Sequence, residues 1–389
     1  MLTKNISLIN FQKIKINKKA LKEFQILKKE FLNKKNKFLL SLSENYKYSF
    51  SKKEIKKYTK FSFVQIIGIG GSILGAKAIY CFLRYKIKKR FFFIDNLNLN
   101  NKKNNKKNQL NLVISKSGNT LETISNLNGL NRNSKSIFIT ENKNNYLRNI
   151  ANVMKSEIFE HKDYIGGRYS VLSETGMLPA NLMGLDCKKF KRLNHLINDK
   201  IFVNRLISSV SGILNFHKNK KTNSIILNYD EGSQNLFNWY QQLVAESLGK
   251  KSKGILPFVS LMPRDNHSLM QLYLDGTKNN FFTFFIVEES KTNKIKKDNL
   301  LNSHNYLKNK SMSEILKAQF YATQSIFKKR KIPFRSFVVK KRNEEALGEL
   351  FTFFILETIM LGKALNINPY DQPDVELIKK ETIKNLLNF

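Results

Sequence analysis

The sequence predicts an α/β protein with two similar domains, each a parallel sheet between layers of helices. Short apolar segments typical of buried strands alternate with helical segments over 61–186, and the same alternation begins again at 224. Such alternation is typical of parallel sheets, whose strands are connected by helices. With 389 residues and 41% hydrophobic residues, the chain is long enough for two or three domains with a sizeable core.

The elements are predicted from apolar periodicity and from Gly, Pro and polar boundaries. We expect a polar N-terminal helical arm over 1–60, a first α/β domain over 61–190, a second over 191–365, and a tail with a terminal helix over 366–389. The predicted strands are Phe61–Ile67, 90–96, Gln109–Ser115, Ser136–Thr140, Ser224–Tyr229, Phe281–Val287 and Phe334–Val339. The predicted helices of the two domains include Tyr146–Met154, Gln234–Gly249, Glu314–Lys328 and Glu344–Ala364, and a polar loop is expected at 101–108.

A glycine-rich turn, Gly68–Ser72, follows the first strand and precedes a helix that begins near Ile73. A strand, a glycine turn and a helix together aim backbone N–H groups at one point, which is a site for an anion. The spacing matches neither GxGxxG nor the Walker A loop, so a nucleotide is not indicated. The alternative is a tight turn that binds nothing.

A cluster of hydroxyl groups follows the third strand, at the start of a helix. Its members are Ser115, Lys116, Ser117 and Thr120. Three hydroxyls and one ammonium are the donors that a phosphate monoester needs. Asn119 and Glu122 have the spacing of a helix-capping box. The alternative is a loop that only caps its own helix, but the lysine beside the hydroxyls favours a phosphate site.

Two further positions suggest chemistry. Arg168 follows Gly166 and Gly167 at a constrained turn, from which it can face an anion or a developing negative charge; the alternative is a surface ion pair.

The apolar periodicity of segment 235–250 predicts an amphipathic helix, with Gln242 and Glu246 one turn apart at the edge of its apolar face. That face comprises Leu236, Trp239, Tyr240, Leu243, Val244, Ser247 and Leu248. A carboxylate beside an apolar wall can act as a base, although an ordinary surface glutamate is the alternative.

The net charge of +38 is compatible with a nucleic-acid or anionic-membrane partner. However, Lys and Asn are scattered over the whole chain and no nucleic-acid-binding motif accompanies them, so neither partner is expected.

The two cysteines, Cys81 and Cys187, form no CxxC motif, which excludes a disulfide framework and a Cys-rich metal site and fits the reducing cytoplasm. We find no signal peptide and no apolar run of about 18 residues that would span a membrane.

Six motifs in a fixed order resemble the glucose-6-phosphate isomerase (phosphoglucose isomerase) family. They lie between about 61 and 380 and read GIGGSILG, SKSGNTLET, GGRYSVLSETGMLPANLMGLD, QQLVAESLGKKSKGILP, DNHSLMQLYLDG and NPYDQPDVELIKK. The resemblance implies two sugar-isomerase (SIS) domains and the interconversion of glucose 6-phosphate and fructose 6-phosphate through an enediol. It also implies no metal or nucleotide cofactor, and a place in glycolysis and gluconeogenesis.

The same resemblance implies roles for individual residues. The phosphate and sugar would be held by Gly71, Ser72, Ser115, Lys116, Ser117 and Thr120, with Gln242 and Gln372 lining the pocket. Glu246 would be the base, and Arg168 would stabilise the enediolate. His267, assisted by Lys379, would open the sugar ring. In the family this histidine comes from the neighbouring subunit, so a homodimer is implied.

The chain departs from the family pattern in its tail, where Asp374 and Ile378 replace two glycines. Lys379 lies seven residues after Gln372, which keeps the family spacing and favours it over Lys380. Alternatives are an isomerase that also accepts mannose 6-phosphate and a sugar-phosphate sensor without activity. A sensor would not need the base, the histidine and the tail lysine, so their presence favours an enzyme.

Overall fold

Two sheets form the framework of the protein, for which a computed structural model describes residues 1–97, 108–130, 134–288, 292–296 and 300–389. Apart from Asn108, the polar loop predicted at 101–108 lies outside the described residues. The strands are β1 Ile6–Ile9, β2 Phe63–Ile67, β3 Arg90–Ile94, β4 Gln109–Ile114, β5 Lys135–Thr140, β6 Glu157–Glu160, β7 Asn223–Asn228, β8 Leu256–Leu261, β9 Asn280–Val287 and β10 Phe334–Val339.

The first sheet has the order β3-β2-β4-β5-β6, and its neighbouring strands are parallel. The second sheet has the order β1-β10-β9-β7-β8 and is parallel except for β1. Strands β2 and β9 are buried along their whole length, which is typical of parallel strands covered on both faces. The prediction of an α/β fold built on two parallel sheets is therefore confirmed.

Helices connect and cover these strands. They are α1 Lys18–Leu32, α2 Lys37–Leu40, α3 Lys52–Lys56, α4 Leu74–Phe82, α5 Leu121–Asn128, α6 Tyr146–Val153, α7 Glu174–Leu182, α8 Leu193–Leu196, α9 Lys200–Lys218, α10 Gln234–Leu248, α11 Met270–Asp275, α12 Met312–Lys329, α13 Glu344–Ala364 and α14 Pro373–Leu386. Within the described ranges, no helix is long and apolar enough to cross a membrane.

The N-terminal segment is not purely helical, so the prediction of a helical arm over 1–60 is wrong in part. Strand β1 pairs antiparallel with β10, and Ile6 lies opposite Val339. The strand is four residues long, with Ile6 and Leu8 buried and Ser7 and Ile9 more exposed. So short an alternation carries little signal in a sequence, and the partner strand lies far along the chain. The domain boundaries remain predictions.

The interior joins the two halves of the molecule. Helix α13 is buried, as was predicted despite Glu357. The carboxylate of Glu357 forms a buried ion pair with Arg335, whose Nη2 lies 3.0 Å from Oε2. Helix α4 of the first half packs against α10 of the second, where Asn235 Nδ2 donates to Cys81 Sγ at 3.1 Å. This contact brings the loops after the strands of the first sheet next to helix α10.

Candidate active site

Three glycine-containing segments meet at the junction of the two halves. A Cβ atom added to Gly71 would lie 2.1 Å from the carbonyl carbon of Gly167, so the two backbones touch where only glycine fits. Gly70 has φ +55°, and a Cβ there would lie 2.7 Å from Gln242 Nε2. The turn after β2, the turn that carries Arg168 and helix α10 therefore converge on one point.

Arg168 is the centre of this junction. Its side chain is 1% exposed, and Nε donates to Ser247 Oγ at 2.7 Å. Nη1 donates to Gln372 Oε1 at 2.8 Å. Nη2 donates to the carbonyl oxygens of Pro369 at 2.6 Å and Asp371 at 3.1 Å. The guanidinium thus ties helix α10 to the loop that precedes α14.

The backbone and ring of the same turn are also held. Trp239 Nε1 donates to the carbonyl oxygen of Arg168 at 3.1 Å. The guanidinium carbon lies 5.1 Å from the centre of the Tyr169 ring, within cation–π range. The side chain of Arg168 therefore has little freedom to move.

Glu246 lies against this cation. Its Oε1 is 3.2 Å from Arg168 Nη1, and its side chain remains 23% exposed. The sequence suggested a carboxylate beside an apolar wall, but its charged neighbour is the guanidinium, which compensates the negative charge. An ionised and partly accessible carboxylate can accept a proton from a bound molecule.

The predicted phosphate loop brings its hydroxyls together. Ser115 Oγ and Thr120 Oγ1 lie 2.9 Å apart, and Ser115 Oγ also accepts from Gly118 N at 3.1 Å. Ser117 Oγ accepts from Asn119 N at 3.3 Å. Hydroxyls and backbone N–H groups therefore line the turn between β4 and α5.

The predicted capping box at Asn119 and Glu122 is wrong. The N-cap of α5 is Thr120, and no side chain caps this helix. Asn119 Oδ1 instead accepts from the backbone N of Tyr146 at 3.0 Å, at the start of α6. Asn119 and Glu122 have the spacing of a capping box, but the fold brings the start of α6 close to Asn119, and the N–H group there donates to its side chain instead.

Lys116 extends from the same loop. Its Nζ donates to the carbonyl oxygen of Asp163 at 2.7 Å and lies 3.5 Å from Glu141 Oε1. It borders a cleft of about 580 Å³ that Gly166 also lines. Burial lowers the pKa of the neighbouring His161 to about 4, so that imidazole adds no charge beside the ammonium at neutral pH.

The two glutamines differ in their contacts. Gln372 stands at the N-terminus of α14 and accepts from Arg168, as described above. Gln242 projects from α10 toward Gly70, and its Oε1 is buried without a hydrogen-bond partner among the described residues. A buried amide oxygen of this kind can accept a hydrogen bond from a hydroxyl group of a ligand.

His267 and Lys379 are exposed side chains on other elements of the chain. His267 is exposed and follows the turn Arg264–Asn266 after β8. Lys379 is exposed on α14, about two turns beyond Gln372. The contacts described above for Arg168 and Glu246 do not involve His267.

Sequence reasoning missed Ser247 and the carbonyl groups of Pro369 and Asp371 as partners of Arg168. The sequence did contain one indication of Ser247, because it is the only serine on the predicted apolar face of 235–250. A buried polar group on such a face needs a partner. Backbone carbonyls carry no residue-specific signal, so these contacts could not be predicted.

Among the described residues, no group of three or more His, Cys, Asp and Glu side chains is arranged to hold a metal ion. The site as built contains a carboxylate, a guanidinium, an ammonium, amides and hydroxyls. These groups can bind a phosphorylated ligand and move a proton without assistance from a cofactor, and the expectation of a cofactor-free site stays a prediction.

Comparisons with known proteins agree with this arrangement. The family model described as phosphoglucose isomerase matches residues 37–387. A glucose-6-phosphate isomerase of Methanocaldococcus jannaschii is 32% identical over 84% of this chain and 84% of its own length. One from Mycoplasmopsis synoviae is 33% identical over 82% and 81%, respectively.

Solved structures show the same fold. A hypothetical protein of Thermus thermophilus superposes with a TM-score of 0.82 at 24% identity, covering 93% of this chain and 94% of that one. A glucose-6-phosphate isomerase of Chlamydia trachomatis gives 0.71 at 22% identity, covering 87% and 73%. With a family match over most of its length and relatives above 30% identity, the chain belongs to the phosphoglucose isomerase family.

Proposed function

We propose that the protein interconverts glucose 6-phosphate and fructose 6-phosphate. The names of its relatives support this reaction, but the observation that carries the proposal is the 3.2 Å contact between Arg168 Nη1 and Glu246 Oε1. An aldose–ketose isomerisation needs one base for a proton and one cation for an anionic intermediate. Both groups stand side by side at the junction of the two sheets.

In the proposed reaction, Glu246 takes the proton from C2 of the open-chain aldose and returns it to C1. The electron pair of the broken C–H bond moves into an enediolate, whose oxygen Arg168 stabilises. The hydroxyl proton of O2 passes to O1, so that the aldehyde oxygen becomes a hydroxyl as C2 becomes the ketone carbon. The carboxylate ends the cycle ionised, as it began.

The remaining predicted residues bind and prepare the sugar phosphate. Gly71, Ser72, Ser115, Lys116, Ser117 and Thr120 hold the phosphate and sugar, and Gln242 and Gln372 orient the sugar chain. Because the phosphate is remote from the reacting carbons, its binding energy serves to position them. His267, assisted by Lys379, opens the ring.

We further propose that the enzyme is a homodimer in which His267 reaches the site of the second subunit. His267 is exposed, which leaves its imidazole accessible to a second subunit. The substrate pair suggests a role in glycolysis and gluconeogenesis, and the cysteine usage suggests the cytoplasm.

A coupled assay with purified protein and fructose 6-phosphate tests the proposed reaction. We expect glucose 6-phosphate to form at a rate that a metal chelator does not change, because a carboxylate and a guanidinium supply the chemistry. Mannose 6-phosphate serves as comparator, and its turnover would extend the specificity to the second sugar. Absence of glucose 6-phosphate formation would contradict the proposal.

A further inference from the structure

A closed ring of hydrogen bonds joins Arg168 to Ser247, Tyr169 and Pro369. Arg168 Nε donates to Ser247 Oγ at 2.7 Å, and Nη2 donates to the Pro369 carbonyl at 2.6 Å. Ser247 Oγ and Tyr169 Oη are 2.8 Å apart, and Tyr169 Oη donates to the same carbonyl at 2.9 Å. Ser247 is 0% and Tyr169 1% exposed, so the ring is shielded from solvent.

The chemistry of the groups fixes the direction of each bond. Nε of Arg168 can only donate, so Ser247 Oγ accepts from it. The Pro369 carbonyl can only accept, so Tyr169 donates to it. The proton of Ser247 is then directed at Tyr169 Oη. Burial raises the pKa of Tyr169, which keeps its phenol protonated and able to donate.

This ring determines where the rest of the guanidinium points. Nε and Nη2 lie on one edge of a rigid planar fork, and two bonds on one edge fix both its plane and its rotation. Nη1 is the nitrogen outside the ring. The ring therefore helps to fix its direction toward Glu246 Oε1, 3.2 Å away, together with the bonds of the guanidinium to Gln372 and Asp371.

We propose that Ser247 and Tyr169 are positioning residues that hold the guanidinium of Arg168 for the isomerisation, an inference that rests on the proposed function. Both hydroxyls are committed to the ring and act on the reaction through Arg168. Ser247 is also the neighbour of Glu246 on α10, so one turn of helix sets the base and the orientation of the cation together. A role in stability alone is the competing explanation.

The variants Ser247→Ala and Tyr169→Phe separate these explanations. We expect kcat to fall roughly 10- to 100-fold while KM changes less than about 3-fold, because the lost contact acts on the transition state. Ser247→Ala should have the larger effect, since it leaves a buried N–H of Arg168 without its acceptor. Because both side chains act through one ring, the double variant should lose little more than Ser247→Ala alone.

Two matched controls remove buried groups of the same kind elsewhere. Ser211 on α9 accepts from Asn17 N at 2.9 Å, and Tyr229 donates to Thr323 Oγ1 at 2.9 Å. Ser211→Ala and Tyr229→Phe should lower the thermal unfolding temperature comparably and leave kcat near its original value. Tyr169→Phe keeps the ring volume of the native residue, so it remains informative if Ser247→Ala does not fold.

Ligand affinity gives a second readout. We expect a five-carbon hydroxamate phosphate, an analogue of the enediolate, to bind at least about 10-fold more weakly to Ser247→Ala, with little change for inorganic phosphate. If both variants match their controls in kcat and analogue affinity, or if the loss lies wholly in KM, the positioning role is wrong. If the protein without any substitution shows no isomerase activity, the proposed function is refuted, and this inference is refuted with it.

Discussion

Nη1 of Arg168 lies 3.2 Å from Oε1 of Glu246, so the proposed cation and base of the reaction are in direct contact. The two residues come from different halves of the chain, one from the turn that follows β6 and the other from α10. Any change that separates the two halves should therefore affect activity before it affects either sheet.

Glu246→Gln should reduce turnover by at least about 10²-fold, because the amide keeps the size of the side chain but cannot accept and return a proton. Binding of the sugar phosphate, measured by calorimetry, should change little. Glu231→Gln, an exposed glutamate just before α10, is the control and should keep full activity. If Glu246→Gln turns over at the original rate, the base has been assigned wrongly.

Lys116→Ala should mainly raise KM, because the ammonium is proposed to bind the ground state and transition state of the phosphorylated sugar alike. Lys143 offers a matched control, since it pairs with the same carboxylate, Glu141. Steady-state kinetics of Lys143→Ala should resemble those of the original protein. An unchanged KM for Lys116→Ala would remove this residue from the binding site.

The proposed homodimer predicts complementation between two inactive variants. Glu246→Gln and His267→Ala, each inactive alone, should regain up to about a quarter of the original activity when refolded together. A mixed dimer would contain one site with both native side chains and one site with neither. Activity that stays at the level of the separate variants would show that each subunit supplies its own histidine.

Gly71→Ala should destabilise the protein by about 1 to 3 kcal/mol, because its Cβ would clash with the backbone of Gly167. Gly166→Ala is the control, since its Cβ would meet only Tyr169 Cδ2 at 3.4 Å. Chemical unfolding measures the free energy of both variants. Equal stability of the two variants would mean that the backbones do not meet as closely as described.

A buried lysine predicts a dependence of stability on pH. Lys191 donates to the carbonyl oxygens of Ser41 and Leu172, and its Nζ lies 4.6 Å from the ring centre of Tyr46. Burial lowers the pKa of Lys191 from its ordinary 10.5 to about 7. Above pH 7 the unfolded chain therefore binds more protons at this position than the folded protein does.

Between pH 7 and 9 the free energy of unfolding should then rise with pH, by up to about 1 kcal/mol per unit. Above pH 9 the buried thiol of Cys187 acts in the opposite direction, because burial raises its pKa from 9.0 to about 12. Lys191→Met should remove the rise, whereas Lys189→Met, at an exposed position, should retain it. The same slope in both variants would contradict the prediction.

Long and strongly patterned elements could be predicted from the sequence. Strand Phe334–Val339 and helix Glu344–Ala364 have the bounds that were expected. The strands β1, β6 and β8 were missed, because β1 and β6 are four residues long and β8 is an edge strand with Leu256 exposed. Such strands depend on pairing with a neighbour rather than on their own composition.

The site could be predicted only as far as side chains carry a pattern. Motif spacing brought Arg168, Gln242 and Glu246 into consideration, and these side chains lie at one junction. The partners that orient Arg168 are a serine counted among apolar residues and the carbonyl of Pro369. The sequence indicates that the serine hydroxyl needs a partner, but it cannot identify that partner or the carbonyl, because both depend on which loop passes the guanidinium.

Strand β1 pairs with β10, whose partner residues are translated roughly 330 positions later. During synthesis on the ribosome, the backbone of Ile6 and Leu8 cannot pair with β10 until nearly the whole polypeptide has emerged. The first sheet can assemble in the meantime, whereas the edge of the second is completed last. Nascent chains halted before β10 should therefore leave this apolar segment without its partner strand, which would make it a target for chaperones that bind extended apolar peptides.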